Sequence, residues 1–227
     1  MENYWTFLSN AMHEMRKPIH ALGGFLSVLK DDELHPGLTD DERYDLFLKS
    51  ERSMLRLTRQ VNTLADLTYY GRLHTLPKDD RVLINDLCRE VAGEYDIPVR
   101  YKSDIPDYYA LMVNGEVLRR VIDFLVGCAV GRVLAKDGPG DQGQVYLIVT
   151  ERGEPGQLTF SVSDNARRDT PDEVRRLFTP PTEPQAVAVD ERMQMLLCRI
   201  LVRLMGGFIY ISDNYDGGRR VIFSIAQ

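Results

Sequence analysis

The stretch NYWTFLSNAMHEMRKPIHALGGFLSVL, residues 3–29, decides the fold. Its apolar residues Phe7, Leu8, Met12, Met15, Ile19, Leu22, Phe25, Leu26 and Leu29 recur at steps of three and four, which predicts an amphipathic helix over the whole stretch. Pro18 lacks a backbone N–H, so a bend is expected there. The segment DDELHPGL, residues 31–38, reads as a polar connector. Thr39, with Glu42 three residues later, spells a capping box that starts a second helix near Asp40. That helix runs to about Tyr70 through Leu46, Leu48, Met54, Leu55, Leu57, Val61, Leu64 and Leu67. The two helices are expected to form an antiparallel hairpin. Alone it would leave an apolar stripe in water, and pairing with a second copy into a four-helix bundle removes that cost.

The polar connector LHTLPKDDR, around residues 73 to 81, ends the long helical period and marks a domain boundary. The expected organisation is a helical hairpin over residues 1–73 and a second domain over 82–227. In the second domain the pattern predicts a helix near 84–94, strands near 98–103 and 109–113, and a helix near 115–134. A loop, KDGPGDQGQ, follows. QVYLIVTE and QLTFSVSD then flank the turn RGEPG as a hairpin of strands. Short and longer helices are expected at 171–178 and 190–205, and GGFIYIS and RRVIFSIA close the chain as strands around NYDGG. Helices on one face of a mixed sheet make the fold class α+β.

Composition narrows the functions. The chain holds 34 acidic against 28 basic residues in 227, a net charge of −6, which argues against nucleic-acid or anionic-membrane partners. Cys88, Cys128 and Cys198 are far apart and lie in apolar stretches, so buried reduced thiols are expected rather than a zinc site or redox pair. The N-terminal residues lack the layout of a secretion signal, and no uncharged run reaches membrane-spanning length. A cytoplasmic location without membrane insertion is the expectation.

His13 is the chemically notable residue of the first helix. An imidazole in solvent keeps a large neutral, nucleophilic fraction near neutral pH, and the adjacent Glu14 can accept or orient its proton. His20, two helical turns on, falls near the same face and could compete. FLSNAMHEMRKPI, residues 7–19, resembles the H-box of the histidine-kinase family, with Met12 and Lys17 where that family carries Ser and Thr. The resemblance covers essentially the whole chain. It implies that His13 accepts a phosphoryl group, with Glu14 as general base or orienting residue, and that the second domain is of the family's ATP-binding type. In the family that it resembles, the polar residue four after the histidine helps position water for receiver dephosphorylation, and Lys17 is not equivalent to Thr, Asn or Gln in that role.

The nucleotide boxes resemble the family's in order but differ in chemistry. LRRVIDFLVGCA, residues 118–129, is similar to the N-box helix, with Phe124 and Cys128 at the two asparagine positions. Magnesium takes hard oxygen ligands, which neither supplies, and Asp123 is expected to point elsewhere on the helix. VSDNARR, residues 162–168, resembles Asp-x-Gly-x-Gly. Asp164 is kept as a possible adenine contact, while Ala166 and Arg168 replace glycines. RRLFTP, residues 175–180, resembles the family's Phe box, a surface that can face the phospho-accepting helix. In RMQMLLCRILVRLMGG, residues 192–207, Arg192 and Gln194 stand at the first two glycine positions of the phosphate-cradling box. Arg167, Arg168, Arg192 and Arg199 could bring positive charge to a nucleotide or an acidic partner. The expectation is a two-component signalling protein, a degenerate histidine kinase that binds ATP and magnesium poorly or not at all. As a homodimer, it would act as a His phosphotransfer protein toward a response-regulator receiver domain. The alternatives are an active ATP-dependent kinase core and a non-catalytic pseudokinase that docks a receiver or a kinase.

Overall fold

The computed structural model describes residues 2–30, 38–135, 142–151, 155–179, 189–213, 215 and 217–227; the side chains of residues 2–10, Glu14 and Val189 lie outside that description. The connectors read at 31–38, KDGPGDQGQ, RGEPG and NYDGG fall wholly or partly outside the described residues.

Helix α1 spans Glu2–Lys30 and continues through Pro18. Helix α2 spans Asp40–Tyr70 and opens on the expected capping box. Glu42 N–H donates to Thr39 Oγ1 at 3.3 Å, and Thr39 N–H donates to the Glu42 carboxylate at 2.8 Å. The two helices pack along each other. The nine residues between them reach at most ~30 Å, short of the ~43 Å that 29 helical residues cover, so the return is antiparallel.

The rest of the chain builds an α+β unit from β1 (Asp80–Leu83), α3 (Ile84–Gly93), β2 (Val99–Ser103), β3 (Ala110–Val113), α4 (Gly115–Val133), β4 (Val145–Thr150), β5 (Gln157–Asp164), α5 (Pro171–Leu177), α6 (Val189–Leu204), β6 (Ile209–Ile211) and β7 (Arg220–Ala226). Five strands form one mixed sheet in the order β2-β4-β5-β7-β6, parallel only between β2 and β4. Val145, Leu147 and Val149 of β4 are fully buried while Tyr146, Ile148 and Thr150 stay half-exposed, so one sheet face carries the core. Against it lie α3, α4 and α6 through Cys88, Val121, Leu125, Leu197 and Leu201. Phe160 and Phe223, on adjacent strands, stack with ring centres 4.6 Å apart.

Two readings need correction. The connector 73–81 runs into a strand, β1, which pairs antiparallel with β3 as a separate two-stranded sheet. Its partner lies some thirty residues on, so no local hairpin pattern announces it. Among the cysteines, Cys88 and Cys198 are buried, but Cys128 is only partly so. The chain passes from α6 to β6 through Gly206, at φ +79°, and Gly207, where an added Cβ would meet the Ser224 carbonyl oxygen at 1.7 Å. Only glycine fits that approach.

Candidate functional site

His13 stands exposed on α1, between Ala11, which is fully buried, and Met15, which is half-buried. Pro18 turns inward with them, while Met12, Ile19 and His20 are exposed, so one face of the helix packs and the histidine face meets solvent. Glu14 is helical, but its side chain lies outside the described residues, as does that of Phe7. Arg16 and Lys17 are exposed beside them.

Asp164, the other residue singled out, is in a different position. It ends β5, is 1% exposed, and its carboxylate is already engaged. Arg132, from the end of α4, donates Nε–H to Oδ2 at 3.0 Å. The backbone amides of Ala166 and Arg219 donate to Oδ1 at 2.9 and 3.2 Å. Gly218 permits this fit: an added Cβ there would lie 2.1 Å from Asp164 Oδ1. Arg132 also pairs with Asp169 at 2.9 Å, and the 6%-exposed Arg219 side chain bridges Asp169 and Glu191. Burial alone would push the Arg219 guanidinium down, but Asp169 and Glu191 more than offset it and hold its pKa above the usual arginine value. Two arginines thus face three carboxylates across α4, β5, α6 and the loops between.

The family's ATP and magnesium are the groups to fit here. The cavity bounded by Leu125, Ala129, Arg132, Val162 and Asp164 has a volume of about 10 Å³, room for about one water molecule and none for a purine. The cluster beside it carries a net negative charge, which opposes a triphosphate. Phe124 and Cys128 offer magnesium no oxygen, and burial pushes the Cys128 thiol up to about 12. As arranged, the gap at Asp164 admits no purine, and the two positions that resemble the family's asparagines supply magnesium no ligand.

Asp123 corrects a detail. It lines the same wide cavity as Phe124 and Cys128, about 540 Å³ between α2, α4 and α6, and accepts the Tyr95 hydroxyl at 2.7 Å. A one-residue step along a helix does not separate side chains when the hollow is this broad. The arginines expected to serve a nucleotide or partner are committed within the fold. Arg167 pairs with Glu173 at 2.6 Å, Arg168 donates to the Asp213 carbonyl at 2.8 Å, and Arg199 reaches the Phe178 carbonyl at 3.5 Å. The buried Arg192 donates to the carbonyls of Arg176 and Thr179, at 3.0 and 3.2 Å, and so caps the end of α5. Phe178, the Phe-box residue, is half-buried against the main core. Arg132, Asp169, Glu191 and Arg219 escaped the sequence reading.

A long hairpin ahead of an α/β sandwich defines the class, a helical phosphoacceptor module joined to an ATPase-like domain. Residues 6–70 match the His Kinase A (phospho-acceptor) domain, and residues 114–227 match the histidine kinase-, DNA gyrase B- and HSP90-like ATPase. The chain belongs to the histidine kinase family, as a two-component histidine-kinase-like protein. Among curated relatives, the virulence sensor protein BvgS of Bordetella parapertussis is 27% identical over 219 residues, 89% of this chain but only 17% of BvgS. The sensor histidine kinase YcbM of Bacillus subtilis is 24% identical over 91% of this chain and 66% of its own length. The chain spans under a fifth of the BvgS relatives. In fold it is similar to histidine kinase ThkA, solved in complex with response regulator protein TrrA, at a TM-score of 0.70 and 19% identity over 96% of this chain and 60% of that one. Acinetobacter baumannii histidine kinase AdeS gives 0.66 at 15% identity, over 94% and 97%. No helix among the described residues is long and apolar enough to cross a membrane.

Proposed function

We propose that this protein carries a phosphoryl group on His13 and exchanges it with the aspartate of a response-regulator receiver domain, while binding ATP poorly or not at all. The contrast between an exposed His13 and a neutralised Asp164 carries this reading. In the transfer the imidazole nitrogen attacks the receiver's acyl phosphate. The new N–P bond forms as the P–O bond to the aspartate breaks, and Glu14, the next residue in the chain, takes or orients the imidazole proton. The receiver's own magnesium and acids serve that step, so it needs nothing from the altered nucleotide boxes.

The chain works as a homodimer in the cytoplasm, without nucleic-acid partners. Its hairpin supports pairing: Met12, Ile19 and Leu26 on α1 and Phe47, Met54 and Val61 on α2 recur every seven residues, and each is about half exposed. Two apolar seams at heptad spacing suit a second copy. His13, rather than His20, is the acceptor, since the phosphoacceptor pattern centres on it.

The test incubates the purified protein with a ³²P-labelled phospho-receiver and, separately, with labelled ATP and Mg²⁺. Acid-labile label should pass from the receiver to the protein and vanish in His13→Ala but persist in His20→Ala. Efficient labelling by ATP would instead support the active kinase, a reading favoured by the ATPase-domain match over residues 114–227. Receiver binding without transfer would support the pseudokinase.

A further inference from the structure

The segment where the family resemblance calls for a phosphate-cradling glycine-rich loop is here the start of α6, DERMQ, residues 190–194. Its side chains go in three directions. Asp190 accepts Arg56 Nε–H at 2.8 Å and a hydrogen bond from the Gln60 amide, both on α2. Gln194 donates to Thr63 Oγ1, again on α2. Met193, 1% exposed, packs with the fully buried Ala11 of α1 and with Leu64 and Leu67 of α2. Glu191 turns the other way, to Arg219 of the ionic cluster, and Arg192 caps α5. On α4, Arg120 adds an ion pair to Asp66. Gln60 and Thr63 are each 1% exposed, so this contact has removed polar side chains of α2 from water.

From this geometry we infer that residues 190–194 are an interdomain clamp, which fixes the α+β unit on the hairpin as one rigid body. The contact mixes a buried apolar centre with directional polar bonds, and buried polar bonds penalise any sliding that breaks them. Met193 rests on Ala11, two residues from His13, so the clamp also sets how the α+β unit stands beside the phosphoacceptor. A domain that delivers phosphate to another domain's side chain has to approach it. One held in this way serves as a fixed platform.

The clamp concerns geometry alone and can be tested without phosphoryl chemistry, so its failure is distinct from failure of the function proposed above. Spin labels are placed at Arg52→Cys on α2 and Tyr108→Cys on the α+β unit in the 227-residue chain carrying Cys128→Ser. Labelled chain is diluted with unlabelled chain so that each dimer carries one labelled copy. Pulsed dipolar spectroscopy should give one narrow distance distribution for the parent. D190A/Q194A should broaden it at least twofold, Asp190→Asn should broaden it less, and Arg199→Ala, on the same helix outside the clamp, should leave it unchanged. A broad distribution in the parent, or a narrow one in D190A/Q194A, overturns the inference. Circular dichroism of each variant separates broadening from unfolding, and the milder Asp190→Asn still decides the matter if the double variant fails to fold.

Discussion

The histidine face of α1 and the Asp164 end of β5 carry two of the residues that the sequence marks as functional, and they have opposite surroundings. His13 is in water, on a helix whose Ala11 and Pro18 turn inward. Asp164 is sealed by an arginine and two backbone amides. A reactive group must meet its partner, whereas a group whose hydrogen bonds are all taken contributes to folding. The difference separates a residue kept available from one absorbed into the scaffold.

That comparison can be broken or sharpened by substitution. The largest effect is expected at Arg219→Ala, which strands Glu191 and leaves Asp169 with Arg132 alone. Breaking a buried ion pair from one side costs about 3–5 kcal/mol, a fall in Tm on the order of 10 °C for a chain of this size, read by calorimetry. His13→Ala should shift Tm by under about 1 °C, since exposed positions are usually within about 0.5 kcal/mol. A large shift there would refute its placement on a free face. Next comes Gly218→Ala, whose Cβ would crowd Asp164 Oδ1; overpacking of this kind costs about 1–3 kcal/mol in urea denaturation. At Thr39→Ala, loss of the α2 capping box should cost about 1 kcal/mol.

The smallest effect is the acid response of α5. The Arg167 guanidinium, followed by the Thr170 amide, holds the Glu173 carboxyl down at about 2. A depressed carboxyl pKa stabilises the fold fully above its unfolded value near 4.5 and loses that contribution as pH falls toward 2. Glu173→Gln should therefore flatten stability across pH 4.5 to 2, by under about 1 kcal/mol for so solvated a pair. An unchanged slope would show that the pair is not formed in solution.

The helices and the strand hairpin were legible because their signals are local. Thr39 and Glu42 are three residues apart, and the apolar period of α1 repeats within one turn. The strand β1 was not, since Asp80 and Arg81 are charged and the register that makes them a strand is supplied by Met112 and Val113. The site divided along the same line. The motif around His13 is contiguous, and so is the loss of glycines after Asp164. Nothing near Asp164 in the sequence names Arg132 or Arg219, which are 32 and 55 positions away and meet it only through the sheet. Arg192 was read as spare positive charge because its acceptors are carbonyls, which any residue could supply.

The ionic cluster has a consequence for protein engineering. Installing glycines at positions 166, 168, 192 and 194 would leave Arg132 and Arg219 paired with three carboxylates. Removing Arg132 alone leaves the buried Asp164 without a counterion, and removing Arg219 alone leaves Glu191 without one, while Asp169 keeps the remaining arginine. A designer seeking nucleotide affinity would have to exchange both arginines together with their acids, because each arginine removed alone leaves a carboxylate without its partner.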